Sequence, residues 1–293
     1  MKSLKSFKMV SLVTLAAALW APVSGFAVTT WDLGALCGPD GSIVTQCSSG
    51  SPVMTGLSTA TSTTTGSTTT FVQASIYDWG ASYGLGVVNR YENPGDTGPH
   101  ATDNKYGTDA ILFNFGADKV KLTSLTIGWN GTDNGVNTTY NDSDLSVFAW
   151  TGAGAPTTGT VSASNANLST STLAMNSGNS NLLNSGWTLI GNYADVGGNA
   201  GNTQALGGST YSSYWLVSAY NTNYGNVNAN TACISSCTGL NDFNDQFKFL
   251  AVSADYKVPE PSGFALLALA LLTMLATRRN WVNNSTARTV LPA

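Results

Sequence analysis

Ile111-Leu112-Phe113-Asn114-Phe115-Gly116, followed by Val120-Lys121-Leu122-Thr123-Ser124-Leu125-Thr126-Ile127, is the stretch that decides the fold. Ile111, Phe113 and Phe115 alternate with Leu112, Asn114 and Gly116, and Val120 and Leu122 alternate with Lys121 and Thr123. A period of two belongs to a strand with one face on a core; a helix repeats its apolar positions every three or four residues. Leu125 and Ile127 then take the opposite parity. One extra residue in the strand (a β-bulge), or a switch from one sheet to another, accounts for that change.

The same reading extends outward. Leu145, Val147 and Ala149 alternate, although Phe148 and Trp150 make the second face apolar as well. Trp187-Thr188-Leu189-Ile190, Tyr214 to Tyr220 and Phe247 to Ser253 supply later strands, and no segment of 28–257 carries a helical period. Turn residues recur at sandwich spacing. The expected fold is all-β: a two-sheet β-sandwich over 71–257, with the jelly roll among the topologies it allows. Trp31, Trp79, Trp129, Trp150, Trp187 and Trp215 are available to anchor its core. Upstream, 28–70 is rich in Gly, Ser and Thr, and Ser58 to Thr70 is almost pure Ser/Thr. That composition fits a flexible or glycan-decorated segment, or a Thr-rich edge strand. Thr151 to Asn181 has little pattern and reads as an irregular insert.

Composition narrows the function. Only 10% of the 293 residues are charged, and there are one His and two Glu. Nucleic-acid binding needs clustered Lys and Arg, so no nucleic-acid partner is expected. Long apolar runs occur only at the two ends, which excludes a polytopic membrane protein. Most side-chain catalysis is short of candidates.

The two ends read as addresses. Lys2, Lys5 and Lys8 precede the apolar run Met9 to Trp20, and Gly25-Phe26-Ala27 sets small residues at a signal-peptidase site. Residues 1–27 are thus expected to be a signal peptide cleaved after Ala27; a short N-terminal anchor is the alternative. At the other end stand Val258-Pro259-Glu260-Pro261, the apolar run Phe264 to Ala276, and Arg278-Arg279. This run of thirteen residues, nearly all apolar, suffices for a transient insertion into the inner membrane, and the arginines would stop transfer. This order of parts over 258–279 resembles the PEP-CTERM sorting signal. The resemblance implies recognition by an exosortase-type transpeptidase, removal of the apolar sorting helix, and a secreted or cell-surface destination in a Gram-negative, exopolysaccharide-producing bacterium. The tail 280–293 departs from the pattern, which usually stops soon after the basic cluster, and a plain C-terminal anchor is the alternative reading.

Export changes the charge. Six of the 12 basic residues lie in the two ends; Arg90, Lys105, Lys119, Lys121, Lys248 and Lys257 remain against 16 acids, a net −10. An acidic, Thr/Asn-rich surface suits a divalent cation or a neutral glycan, and does not suit tight binding to an acidic polysaccharide unless cations bridge the two. Cys37, Cys47, Cys233 and Cys237 all fall in the exported part, where disulfides persist. Local pairing, Cys37–Cys47 and Cys233–Cys237, is the first expectation.

The middle of the chain is the richest in polar groups. Gly84 to Asn89, His100 to Asn104, Gly107 to Leu112, Ile127-Gly128-Trp129 and Asn141 to Val147, with Phe247 to Val252, look like a family of exosortase-dependent surface proteins over roughly 74–150 and 242–262. That resemblance implies a secreted β-rich domain and brings no ligand or activity. Asp103, Asp109, Asp142 and Asp144, with Asn104 and Asp133, are hard oxygen donors in loops next to strands, as a Ca2+ site requires. Asx-turns are the other use of such residues. His100 reads as a hydrogen-bonded loop residue, and no second His completes a catalytic triad. Glu92 with Asp103 or Asp109 could form a glycosidase pair, but nothing in the spacing selects one. Tyr83, Tyr91, Tyr106 and Tyr140 could stack on sugar rings. The expectation is a non-catalytic structural protein of the cell surface or exopolysaccharide matrix. A calcium-dependent glycan-binding module is the alternative, and a polysaccharide-cleaving enzyme comes third.

Overall fold

The computed structural model describes residues 28–47, 50–59, 69–89, 100–104, 107–131, 143–156, 174–175, 186–196, 202–221, 224, 239–240, 245–257 and 269–275. In chain order its strands are β1 (Val28–Asp32), β2 (Ile43–Val44), β3 (Gln46–Cys47), β4 (Val53–Thr59), β5 (Thr69–Gln73), β6 (Ser75–Asp78), β7 (Leu85–Val88) and β8 (Thr102–Asp103). There follow β9 (Asp109–Asn114), β10 (Val120–Asn130), β11 (Leu145–Trp150), β12 (Ala174–Met175), β13 (Trp187–Tyr193), β14 (Asn202–Ala205), β15 (Tyr214–Ala219) and β16 (Gln246–Tyr256).

They build two antiparallel sheets. The first runs β14-β10-β16-β7-β6-β2, with β1 and β8 also on β16; the second runs β12-β5-β4-β9-β15-β11-β13, with β3 on β4. The parity change in the deciding stretch is a bulge. β10 stays one strand, and its register against β16 slips between Leu122 and Ser124. The slip keeps Leu122, Leu125 and Ile127 on the core side, where all three are buried. From the opposite sheet, Phe113 meets Phe249 edge-on at 6.4 Å between ring centres. The two sheets thus share one apolar interior, the arrangement of a β-sandwich. The largest aromatic within it keeps its polar edge satisfied: Trp215 Nε1 donates to the carbonyls of Val120 and Ser212, each at 3.2 Å.

The outer face of the second sheet is buried too. Leu57, Leu112, Phe148 and Leu216 pack there with Phe71, Trp187 and Tyr220. This accounts for Phe148 between Val147 and Ala149: a strand covered on both sides loses its alternation.

The division at residue 71 gives way. One compact unit runs from Val28 to Lys257. β4 lies inside the second sheet between β5 and β9, and Trp31 of β1 packs on Phe115 and Tyr256 at 5.2 and 6.1 Å. Thr is a good strand residue, and β4 is buried on both sides, with Met54 in the shared interior and Leu57 in the outer-face cluster. Residues 60–68 of the Ser/Thr run lie outside the described residues. The Cys37–Cys47 disulfide forms as expected, with a Cα–Cα separation of 4.7 Å. Cys233 and Cys237 lie outside the described residues, as do Ala27, Val258, Pro259, Glu260, Pro261, Arg278 and Arg279. Of the apolar run Phe264 to Ala276 only 269–275 are described, and among the described residues no helix is long and apolar enough to cross a membrane.

Candidate functional site: a lysine among aromatic rings

Alternation in β16 sends Phe247 and Phe249 into the core and Lys248 to the opposite, outward face of the first sheet. Across the ladder Trp129 of β10 is its partner. Two more rings arrive on the hairpin between β6 and β7. Asp78 Oδ1 accepts from Gly80 N at 2.8 Å, Trp79 N donates to the Gly84 carbonyl at 2.9 Å, and Gly84 N donates to the Gly80 carbonyl at 2.8 Å. Gly80 and Gly84 have φ of 82° and 84°, a backbone region glycine enters without penalty. The hairpin lies flat because β10 offers Gly128 beneath it: a Cβ there would sit 2.4 Å from the Tyr83 carbonyl oxygen.

The result is an ammonium surrounded by aromatic rings. Lys248 Nζ stands 3.7 Å from the centre of the Trp79 ring, 4.2 Å from that of Trp129 and 5.8 Å from that of Tyr83. Lys248 is 4% exposed, whereas Tyr83 at the rim is 49% exposed. Burial pushes the lysine down to about 8 from its ordinary 10.5. Among the described residues no neighbouring carboxylate offsets that burial, and no oxygen accepts from the ammonium. The indole faces act the other way, and each desolvated cation–π contact is worth about 2 kcal/mol. The row of rings continues from Trp79 to Tyr77 at 4.6 Å and from Tyr77 to His100, stacked at 5.1 Å.

His100 is buried, with φ of 35°, and its carbonyl accepts from Trp79 Nε1 at 3.2 Å. It is a packed loop residue, as the sequence suggested. Gly86 makes room for it, since a Cβ at that position would fall 1.8 Å from the His100 oxygen.

The acidic residues gather elsewhere, in a buried hydrogen-bonded group. Asp109 Oδ2 accepts from Asp103 N at 3.4 Å, and Asp144 Oδ1 accepts from Asp195 N at 2.8 Å. Asp245 joins the two sides: its Oδ1 accepts from Asp144 N at 2.7 Å and its Oδ2 from Asn104 Nδ2 at 2.6 Å. Asn104 Oδ1 accepts in return from Asp245 N at 3.0 Å. Asp103, Asp109 and Asp144 thus hold backbone amides or are held through them, tying the loops before β9, β11 and β16 together. Among the described residues no group of three or more His, Cys, Asp or Glu side chains is arranged to hold a metal. Asp142 and Asp133 lie outside the described residues, as do Glu92, Tyr91, Tyr106 and Tyr140.

Of the residues singled out from sequence, Tyr83 falls at the aromatic site and the described aspartates fall in the polar group. Lys248, Trp79 and Trp129 were missed as a site, and Asp245 and Asp195 as members of the polar group. The signal for Lys248 was present: a lysine between two core phenylalanines in an alternating run must face outward. What the alternation cannot show is that Trp129 and the 79–84 hairpin close over it.

Compared with family models, with curated proteins and with solved structures, the chain finds no significant match.

Proposed function

We propose that this chain is an exported, exosortase-processed structural protein of the cell surface or exopolysaccharide matrix of a Gram-negative bacterium, without catalysis. The observation that carries the reading is where the folded unit stops. It spans Val28 to Lys257, and the two terminal signals abut it on either side: cleavage after Ala27, and Val258-Pro259-Glu260-Pro261 followed by the apolar sorting helix and Arg278-Arg279. β1 begins at Val28 itself, paired with Asp255 of β16. Signal peptidase and the transpeptidase would then cut outside the sheets and leave both cores whole. A jelly-roll-like ordering of the sandwich belongs to the same proposal. Mass spectrometry of the protein recovered from the producing bacterium tests it. The expected product starts at Val28 and lacks the tail 280–293. A surface protein that retains Arg278-Arg279 and the tail, or a gene deletion that leaves matrix and surface proteome unchanged, overturns it.

A second reading, glycan binding, is favoured by one observation: the outward row of Tyr77, Trp79, Tyr83 and Trp129 on a sheet face. Aromatic faces stack on sugar rings while polar groups orient the hydroxyls. This reading assigns no part to calcium, because the aspartates with hydrogen bonds described above spend them on the protein's own amides.

A further inference from the structure

We propose that the face centred on Lys248 binds a sugar ring bearing a carboxylate, a uronate residue of an extracellular polysaccharide, with the ring against Tyr83 and Trp129 and the carboxylate on the Lys248 ammonium. The inference rests on the glycan-binding reading and narrows it.

The argument starts from an unbalanced charge. A buried ammonium without an acceptor is costly, and proteins ordinarily supply a carboxylate or carbonyl for it. Here none of the described residues does so. The other lysine on a described strand shows the contrast: Lys121 of β10, partly exposed, meets Asp255 of β16 at 2.8 Å, and that hydrogen bond holds its proton more firmly than usual. Lys248 stands on the same pair of strands with rings where Lys121 has an acid. Ring faces attract a cation but accept its N–H bonds poorly, so three donors remain for an incoming group. A carboxylate fills that role with charge-assisted hydrogen bonds, about twice as strong as neutral ones. A neutral hydroxyl would leave the charge unbalanced.

The chain's overall acidity does not forbid this. Exposed charges farther away than the Debye length, about 8 Å at physiological salt, are largely screened. Among the described residues the charge that counts near Lys248 is its own, since none of their carboxylates pairs with it. Tyr83, half exposed at the rim, supplies the stacking surface next to it. Tyr77, 4.6 Å from Trp79, extends the row away from the lysine, where a neighbouring sugar of the same polymer would lie.

The test uses the full-length chain kept soluble in a mild detergent. Trimers of galacturonic, glucuronic and mannuronic acid are titrated against it, each beside its methyl ester, which has the same ring without the charge. Tryptophan fluorescence and calorimetry read the binding. The expected result is that at least one acid trimer binds at least tenfold more tightly than its ester and weakens with added salt. Lys248→Met should erase the difference between acid and ester, and Tyr83→Ser, at an exposed position, should weaken both forms. If acid and ester bind equally, the carboxylate inference fails while glycan binding stands. If none of the six binds, both fail. Because the acid-to-ester ratio is measured on the unaltered chain, a variant that does not fold leaves the test intact.

Discussion

Replacing Lys248 with Met asks what the burial of one ammonium costs. The folded chain releases this proton near 8, the unfolded chain near 10.5. Between those values the unfolded state holds more protons, so stability rises with pH. Each pK unit is worth 1.36 kcal/mol, so the whole shift amounts to about 3 kcal/mol, of which about 2 kcal/mol falls between about pH 7.5 and 9.5. The window has to close near pH 10. Tyr193 and Tyr256 are raised above the ordinary tyrosine value by burial, and Lys121 is raised by its bond to Asp255, so all three make the fold lose stability above that point. Urea unfolding followed by circular dichroism at several pH values in that range measures the slope. The parent chain should gain about 2 kcal/mol more than Lys248→Met over the window. Equal slopes in the two proteins refute the reasoning. They would mean that the faces of Trp79 and Trp129 stabilise the ammonium as much as burial penalises it, which two contacts of about 2 kcal/mol each have the strength to do.

Four further outcomes follow. Replacing Cys37 and Cys47 together opens a loop with a sequence separation of 10; the denaturation midpoint should fall by the equivalent of about 3 kcal/mol. Phe113→Ala empties a fully buried position at the contact with Phe249 and should lower the unfolding free energy by about 3–5 kcal/mol, read from the urea midpoint. Asp78→Asn should stabilise the fold at neutral pH: burial raises this carboxyl above 3.8, with Asp40 and Asp32 acting in the same direction, so the parent loses stability as pH rises past that value. The gain must vanish in acid, where the parent carboxyl is protonated. A chelator should leave the thermal midpoint unchanged; a rise of several degrees on adding calcium would instead place a metal among the aspartates.

The alternation of residues 111–127 was enough to give strand and parity, which are local consequences of a period of two, but it left a bulge and a switch of sheet both open; the pairing of β10 with β16 decides for the bulge. β1 to β4 could not be read the same way. Val28 to Asp32 is only five residues long and carries Thr29 and Thr30, which suit a strand edge and a loop alike. It is the pairing with β16, more than 200 residues away, that makes it a strand. The short loop between Cys37 and Cys47 was enough to suggest their bond. The cluster of aspartates was visible as chemistry, but their role depends on where Asp195 and Asp245 fall, and both come from distant loops. Lys248 failed for the same reason. Its neighbours in sequence are core residues, and its neighbours in space come from the 79–84 hairpin and from β10.

The first sheet has its axis in the final strand: β16 joins β10 on one side and β8, β7 and β1 on the other. A growing chain therefore holds most of this sheet's residues long before it holds the strand that links them. Until residues 246–256 are available, β1 has no described partner and β10 lacks its longest ladder. Such late, long-range closure makes folding slow and leaves the nascent polypeptide open. If the chain is exported as proposed, the delay would be useful: residues 246–256, the last strand of the folded unit, would emerge late and lock the domain.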